Sequence, residues 1–324
     1  MPFITRRRAL AGGAGALVLP SIARADTYPS SPVTFVVGYA AGGSTDINAR
    51  ELAQVMTPLL GQQIVIDNKG GAAGSIGLRA VASAKPDGYT LFVAVGTNVI
   101  INPWVQKGMI DTISTLSPVC QITSYQYVLV VNPKVPANNA AELVALAKKE
   151  PDKLTYSSSG VGGNNHLAGA LFADAAGIKM THVPYKGTAP AVADVISGQI
   201  TMNFSSLPPA VSQIKGGNLK ALAVTGDKRV SSLPDVPTLK EQGIDVVVTS
   251  WQGLFAPAKT PTDILDKLEK TAKEGMKNPK WKEALDRDGL EMPPDRSRAE
   301  FTQFVKDEHA FWGKKLKDLH VDME

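Results

Sequence analysis

One local pattern occurs twice in this chain and narrows its fold more than any other feature: an apolar strand-like run, a loop with two adjacent glycines, and a polar triplet that opens a helix. The first copy is Phe35-Val36-Val37-Gly38-Tyr39-Ala40-Ala41-Gly42-Gly43-Ser44-Thr45-Asp46. The second is Leu154-Thr155-Tyr156-Ser157-Ser158-Ser159-Gly160-Val161-Gly162-Gly163-Asn164-Asn165-His166. A buried strand that feeds a helix through a tight glycine turn is the unit of mostly parallel α/β sheets, whose faces are covered by helices. Two copies predict two such units.

The flanking sequence agrees. Around the first copy, periodicity predicts strands at 33–39, 64–68 and 90–95, with helices at 46–60 and 76–83. Around the second it predicts strands at 128–132, 154–157, 180–183, 200–204 and 221–225, with helices at 140–150, 167–176 and 189–197. The C-terminal part reads as helical from Thr260-Pro261-Thr262-Asp263 onward. Ser297-Arg298-Ala299-Glu300 is a capping-box pattern, followed by Phe301, Phe304, Val305, Phe311, Trp312 and Leu316 on one packing face.

Each glycine loop has the chemistry of an anion site. Glycines admit positive φ and close backbone approach, and a helix start offers N–H groups that lack intrahelical partners and carry partial positive charge. Ligands of open α/β sheets sit beyond the carboxyl ends of the strands, so both loops fall where a cleft between two domains is expected. Two facing helix starts can hold a carboxylate without a dedicated arginine. The alternative is that each glycine pair only makes a turn, with Asp46 and Asn164 or Asn165 as ordinary caps; the duplication favours binding. His166 is either a ligand contact or a cap, and Lys186 either a charge for the carboxylate or a solvated side chain.

The basic charge of the chain sits at its start. Arg6, Arg7 and Arg8 precede an apolar run of 14 residues, Ala9 to Ile22, and then Ala23-Arg24-Ala25. A charged region, a short hydrophobic region and an A-x-A site predict an export signal at 1–25, too short to span a bilayer, which takes about 20 residues. Thr5-Arg6-Arg7-Arg8-Ala9-Leu10 suits the twin-arginine route as well as Sec. Without residues 1–25, Lys+Arg falls from 34 to 30 against 30 Asp+Glu. Composition then offers no argument for nucleic acid or an anionic membrane as partner. The single cysteine, Cys120, excludes an intramolecular disulfide and reads as a buried, inert thiol.

Enzyme readings find little support. Gly160-Val161-Gly162-Gly163-Asn164-Asn165 lacks the third glycine of a dinucleotide fingerprint, and no cofactor is expected. Ala73-Gly74-Ser75-Ile76-Gly77 approaches the G-x-S-x-G elbow with alanine in the first glycine's place. A secreted serine hydrolase on Ser75, or on the serines at 157–159, would need a base and an orienting acid that the sequence does not supply. His166, His182, His309 and His320 are not spaced as metal ligands.

The chain resembles the substrate-binding proteins of tripartite tricarboxylate transporters, also called Bug receptors, over nearly all of its length after the signal. The likeness is carried by Gly42-Gly43-Ser44-Thr45-Asp46, Asp67-Asn68-Lys69-Gly70-Gly71-Ala72-Ala73-Gly74, Pro86-Asp87-Gly88-Tyr89-Thr90-Leu91, His182-Val183-Pro184-Tyr185-Lys186-Gly187, Pro234-Asp235-Val236-Pro237-Thr238 and Trp251-Gln252-Gly253-Leu254-Phe255-Ala256-Pro257. It implies an α/β periplasmic-binding-protein (Venus flytrap) fold, with 26–124 plus 249–324 as one domain, 125–248 as the other, and crossings near Ser124 and 248–251. It implies a monomeric periplasmic receptor that captures a small organic acid by hinge closure and delivers it to the membrane subunits of a tripartite transporter, or else serves a sensor. The implied ligand residues are Tyr39, Ala41, Gly42, Gly43, Ser44, Thr45 and Asp46 in the first loop; Ser158, Ser159, Gly162, Gly163, Asn164 and His166 in the second; and Thr97, Thr188, Ala189 and Ser205 around them. Many relatives carry an acidic residue where this chain has Ser205, so the expected ligand is an organic acid without an amino group.

Overall fold

The computed structural model describes residues 28–106, 108–151 and 153–318. The signal read at 1–25, and His320, lie outside the described residues.

The first half contains β1 (Val33–Val37), α1 (Ser44–Leu60), β2 (Ile64–Asn68), a 3₁₀ turn (Ala72–Gly74), α2 (Ser75–Ala82), β3 (Thr90–Val95), the short helices α3 (Gly96–Ile100), α4 (Asn102–Val105) and α5 (Thr112–Thr115), and β4 (Leu116–Val131). The second contains α6 (Ala140–Lys149), β5 (Thr155–Ser158), α7 (Asn164–Ala176), β6 (Thr181–Pro184), α8 (Thr188–Ser197), β7 (Met202–Ser206), α9 (Leu207–Lys215) and β8 (Lys220–Val224). The chain ends through β9 (Thr249–Pro257), α10 (Thr262–Met276), α11 (Pro279–Asp288) and α12 (Arg298–Asp318).

These strands form two sheets that share β4. The first runs β2-β1-β3-β9-β4 and the second β8-β4-β7-β5-β6. β1 lies parallel between β2 and β3, and its apolar side chains are mostly buried on both faces, as a central parallel strand requires. β4 pairs antiparallel with β9 from Leu116 opposite Pro257 to Gln126 opposite Thr249. It then enters the second sheet, where Tyr127 lies opposite Ser206. The strand predicted at 128–132 is therefore the second part of a longer one. Pro118 and the polar Gln121, Thr123, Ser124 and Gln126 mask the first part, and register shifts at Pro118/Cys120 and Gln121/Thr123 absorb the irregularity. β9 also went unread as a strand, and its antiparallel pairing with β3 makes the first sheet mixed.

Helix starts differ from expectation in a way that matters for the site. α1 begins at Ser44 and α7 at Asn164, earlier than their apolar periodicity indicates, with Gly43 and Gly163 as the caps. Asp46, Asn164 and Asn165 thus belong to first turns rather than to caps. The capping box of α12 is formed: the Ser297 N–H donates to Glu300 Oε2 at 2.7 Å and the Glu300 N–H to Ser297 Oγ at 3.3 Å. Phe301 and Val305 are buried beneath it, whereas Phe311 is 53% exposed and leaves the predicted packing face. Cys120 is a buried free thiol, and burial pushes its pKa up to about 12.

Candidate functional site

Helix N-termini from both sheets converge on one small cavity. Its walls include Gly43, Ser44 and Thr45 of α1, Val95 and Thr97 at the start of α3, Asn164 and Asn165 of α7, Thr188 of α8, and Ser206, which caps α9. Tyr39, Tyr125, Tyr127 and Ser159 complete the lining. No lysine, arginine, aspartate or glutamate is among these residues, so the positive potential comes from aligned backbone N–H groups. Such a site suits an anion of one end's size: the volume is about 20 Å³, near the space of a single water-sized group.

The two glycine loops place their helix starts by the same backbone path. Gly42 and Gly162 have φ of +78° and +80°, a region that side chains disfavour. The Gly43 N–H donates to the Ala40 carbonyl at 3.4 Å, and the Gly163 N–H to the Gly160 carbonyl at 3.1 Å. A side chain four residues after each positive-φ glycine then holds that glycine's N–H: Asp46 Oδ2 at 2.9 Å in the first loop, His166 Nδ1 at 3.2 Å in the second. Asp46 also forms a two-toothed pair with Arg50, at 3.0 and 2.9 Å. Burial pushes the Asp46 carboxyl up, but Arg50 and the Gly42 N–H outweigh it and hold the group below its ordinary value. His166 stacks on His182 with ring centroids 3.9 Å apart. Burial, then the neighbouring His166, lowers His182 to about 3, and its Nε2 lies 2.6 Å from Ser158 Oγ.

The residues named from sequence therefore separate into two layers. Tyr39, Gly43, Ser44, Thr45, Thr97, Ser159, Asn164 and Thr188 line the cavity. Gly42, Asp46, Ser158, Gly162, Gly163 and His166 are absent from the lining and shape the loops. Ala189 meets Gly42 across the closed halves, with its Cβ 3.8 Å from where a Gly42 Cβ would lie. Ala41 is absent from the lining, and Ser205 is fully buried with its hydroxyl donating to the Ser206 carbonyl, so Ser206 rather than Ser205 faces the cavity. Lys186 contributes its carbonyl, which accepts the Ala40 N–H at 3.1 Å, while the residue is exposed. Tyr125, Tyr127, Val95, Asn165 and Ser206 also line the cavity without being singled out from sequence as ligand residues; the alternating Tyr-x-Tyr in a strand that passes between sheets is the available signal.

The halves meet around this cavity through short polar contacts. Gln106 Nε2 donates to the Val161 carbonyl at 3.2 Å, and Asn164 Nδ2 to Ser250 Oγ at 2.5 Å. Gly160, at φ +136°, packs so closely on the 3₁₀ turn that a Cβ would lie 2.9 Å from Ala73 N. That turn holds Ala72 and Ala73 in the left-handed region, and the Ala73 carbonyl accepts from Asn98 Nδ2 at 2.6 Å, Asn102 Nδ2 at 3.0 Å and the Tyr39 hydroxyl at 3.1 Å.

The hydrolase residues are arranged for structure. Ser75 Oγ donates to Gln106 Oε1 at 2.6 Å and accepts from Asn102. Ser158 does approach an imidazole, but it is fully buried and bonded to the Gly160 backbone, and the side chain acting on His182 is another histidine rather than a carboxylate. Among the described residues, no three His, Cys, Asp or Glu side chains are grouped to hold a metal.

The model of the tripartite tricarboxylate transporter family receptor matches residues 48–321. The chain belongs to this receptor family. Solved structures agree with its fold. The periplasmic binding protein BugD is 36% identical with a TM-score of 0.85, over 90% of this chain and 98% of that one. A Rhodopseudomonas palustris protein solved with adipate is 32% identical with a TM-score of 0.86, over 90% and 97%. MatC from the same organism, with bound malate, is 29% identical with a TM-score of 0.84, over 89% and 99%. The receptor therefore has the α/β periplasmic-binding-protein fold, and its family is one of solute-binding proteins rather than enzymes.

Proposed function

We propose that this receptor captures a small organic acid in the cavity between its two sheets and delivers it to the membrane subunits of a tripartite transporter. The observation that carries this reading is the convergence of helix N-termini from both halves on a cavity without charged side chains. Two buried hydroxyls there, Thr97 Oγ1 from one half and Ser206 Oγ from the other, have no hydrogen-bond partner in the protein. A carboxylate would satisfy both and sit against the positive ends of the helices.

The moving bodies are residues 26–124 with 249–324, and 125–248, hinged where β4 passes between sheets and where the chain enters β9. A cavity of about 20 Å³ admits a whole acid only when these bodies separate, so ligand selects the closed form. Residues 1–25 direct the chain to the periplasm. The receptor performs no chemistry on what it binds, as its family of solute-binding proteins suggests, and among the described residues the serine of the Ser158–His182 pair is buried.

Calorimetry against mono-, di- and tricarboxylic acids tests the proposal, starting with malate and adipate, the acids bound by the structural neighbours. One-to-one binding without turnover is expected. Ester cleavage abolished by Ser75→Ala would overturn it.

A further inference from the structure

A second chamber of about 610 Å³ adjoins the carboxylate cavity, sharing Thr97, Tyr125 and Asn164 as a partition. That volume lies within the roughly 300–1,000 Å³ of small-molecule sites. The hydrogen bond from Asn164 to Ser250 crosses the halves at this partition. The chamber's mixed walls carry an aromatic side formed by Trp251, Phe304 and Trp312, and its two charged groups away from the exposed rim are of opposite sign, Arg296 and Glu308.

These two charges are set apart rather than joined. The Arg296 guanidinium lies 4.3 Å from the centroid of the Phe304 ring and donates to Gln121 Oε1 at 2.6 Å. Glu308 is half-buried and bonded by the Trp312 side chain; burial raises its pKa, and the Arg296 charge opposes the rise, so the two groups sense each other. Among the described residues neither takes part in an ion pair. Trp251 is 6% exposed and its indole N–H has no partner. An aromatic-walled chamber with one separated cation and one separated anion matches a molecule that carries the same two charges in reverse.

We propose that this chamber is a second ligand site, for a zwitterionic α-amino acid with an aromatic side chain. The ligand carboxylate faces Arg296, its ammonium faces Glu308, and its ring lies against Trp251 and Phe304. A carboxylate without an ammonium would leave Glu308 beside a like charge, and an amine without a carboxylate would do the same to Arg296, so both are selected against.

Calorimetry on the full chain with L-phenylalanine is the test, with 3-phenylpropionate and phenethylamine as single-charge controls. The expected result is saturable one-to-one binding of phenylalanine, about tenfold or more weakened for either control and in both Arg296→Gln and Glu308→Gln. Ser206→Ala, at a residue that lines the carboxylate cavity and not this chamber, leaves this binding unchanged. Glu308→Gln keeps the test valid if Arg296→Gln disturbs the Gln121 contact and the fold. Absence of binding at about 10 mM phenylalanine overturns the proposal. So does equal binding of phenylpropionate, or binding lost in Ser206→Ala and kept in Glu308→Gln.

Discussion

The two glycine loops follow the same backbone path and differ in what holds them. In the first, the N–H of Gly42 is held by a carboxylate, Asp46, which is itself paired with Arg50. In the second, the N–H of Gly162 is held by a neutral ring nitrogen of His166, stacked on His182. A negative charge in the first turn of α1 stabilises that helix but offsets the positive potential an anion would feel. The second loop carries no such offset. The same geometry therefore yields one loop specialised for stability and another that is the stronger electrostatic partner for a carboxylate.

The largest effect should come from closing these loops to a ligand. A Cβ on Gly163 would lie 3.1 Å from both the Gly160 carbonyl and Ser159 Oγ, and Ser159 lines the cavity; on Gly43 the nearest atom is the Ala40 carbonyl at 3.3 Å. Loss of two charge-assisted backbone hydrogen bonds corresponds to about 100-fold or more in affinity. Gly163→Val should reach that loss, and Gly43→Val should fall short of it, when malate or adipate binding is measured by calorimetry. Equal or reversed effects would break the assignment of the second loop as the stronger partner. Unchanged affinity in both would remove the site.

This asymmetry was only partly legible in the sequence. The loops themselves were, because a strand, paired glycines and a polar helix start have few structural outcomes. Asp46 and His166 were named, but as ligand residues or helix caps, since sequence spacing does not show that a first-turn side chain folds back on the glycine before it. Ser206 was hidden behind Ser205 because the strand ran two residues past its predicted end at 204, and a one-residue error in a strand exchanges the two faces. Tyr125 and Tyr127 were hidden because β4 passes between sheets through a polar stretch that does not look like a buried strand.

Changing the charge of the first anchor should sharpen the comparison. Asp46→Asn retains an oxygen for the Gly42 N–H but removes the negative charge and the Arg50 pair. The expected cost is about 1 kcal/mol of stability, measured by urea unfolding, with carboxylate affinity rising about two- to fivefold as the α1 terminus is unmasked. Arg50→Gln leaves Asp46 uncompensated and should move affinity the other way. If both variants lower affinity equally, Asp46 acts only through loop geometry.

Acid should separate the loops without mutation. His182 takes a proton near an ordinary 6.5 in the unfolded chain and only near 3 in the folded one, so between these values the unfolded chain binds more protons and stability rises with pH. Stability from this group is thus lost as pH falls from 6.5 toward 3. The contribution of Asp46, lowered in the folded state, persists until pH falls below the ordinary 3.8. Thermal unfolding followed from pH 7 to 4 should show a decline that His182→Gln flattens and Asp46→Asn leaves in place. A decline abolished by Asp46→Asn instead would assign the acid sensitivity to the first loop.

A contact from each half also separates the two sides, the unpartnered hydroxyls of Thr97 on α3 and Ser206 before α9. If they wait for a carboxylate, Ser206→Ala and Thr97→Val each remove one hydroxyl-to-carboxylate hydrogen bond, about tenfold in affinity. The same changes remove a buried polar atom that the protein leaves unsatisfied, so unfolding should show stability unchanged or slightly higher. A hydroxyl that served the fold would give the opposite sign. Because Ser206 rather than Thr97 lies in the half with the unmasked loop, Ser206→Ala should cost more affinity than Thr97→Val. The reverse order would mean that the anion is held mainly from the α1 side.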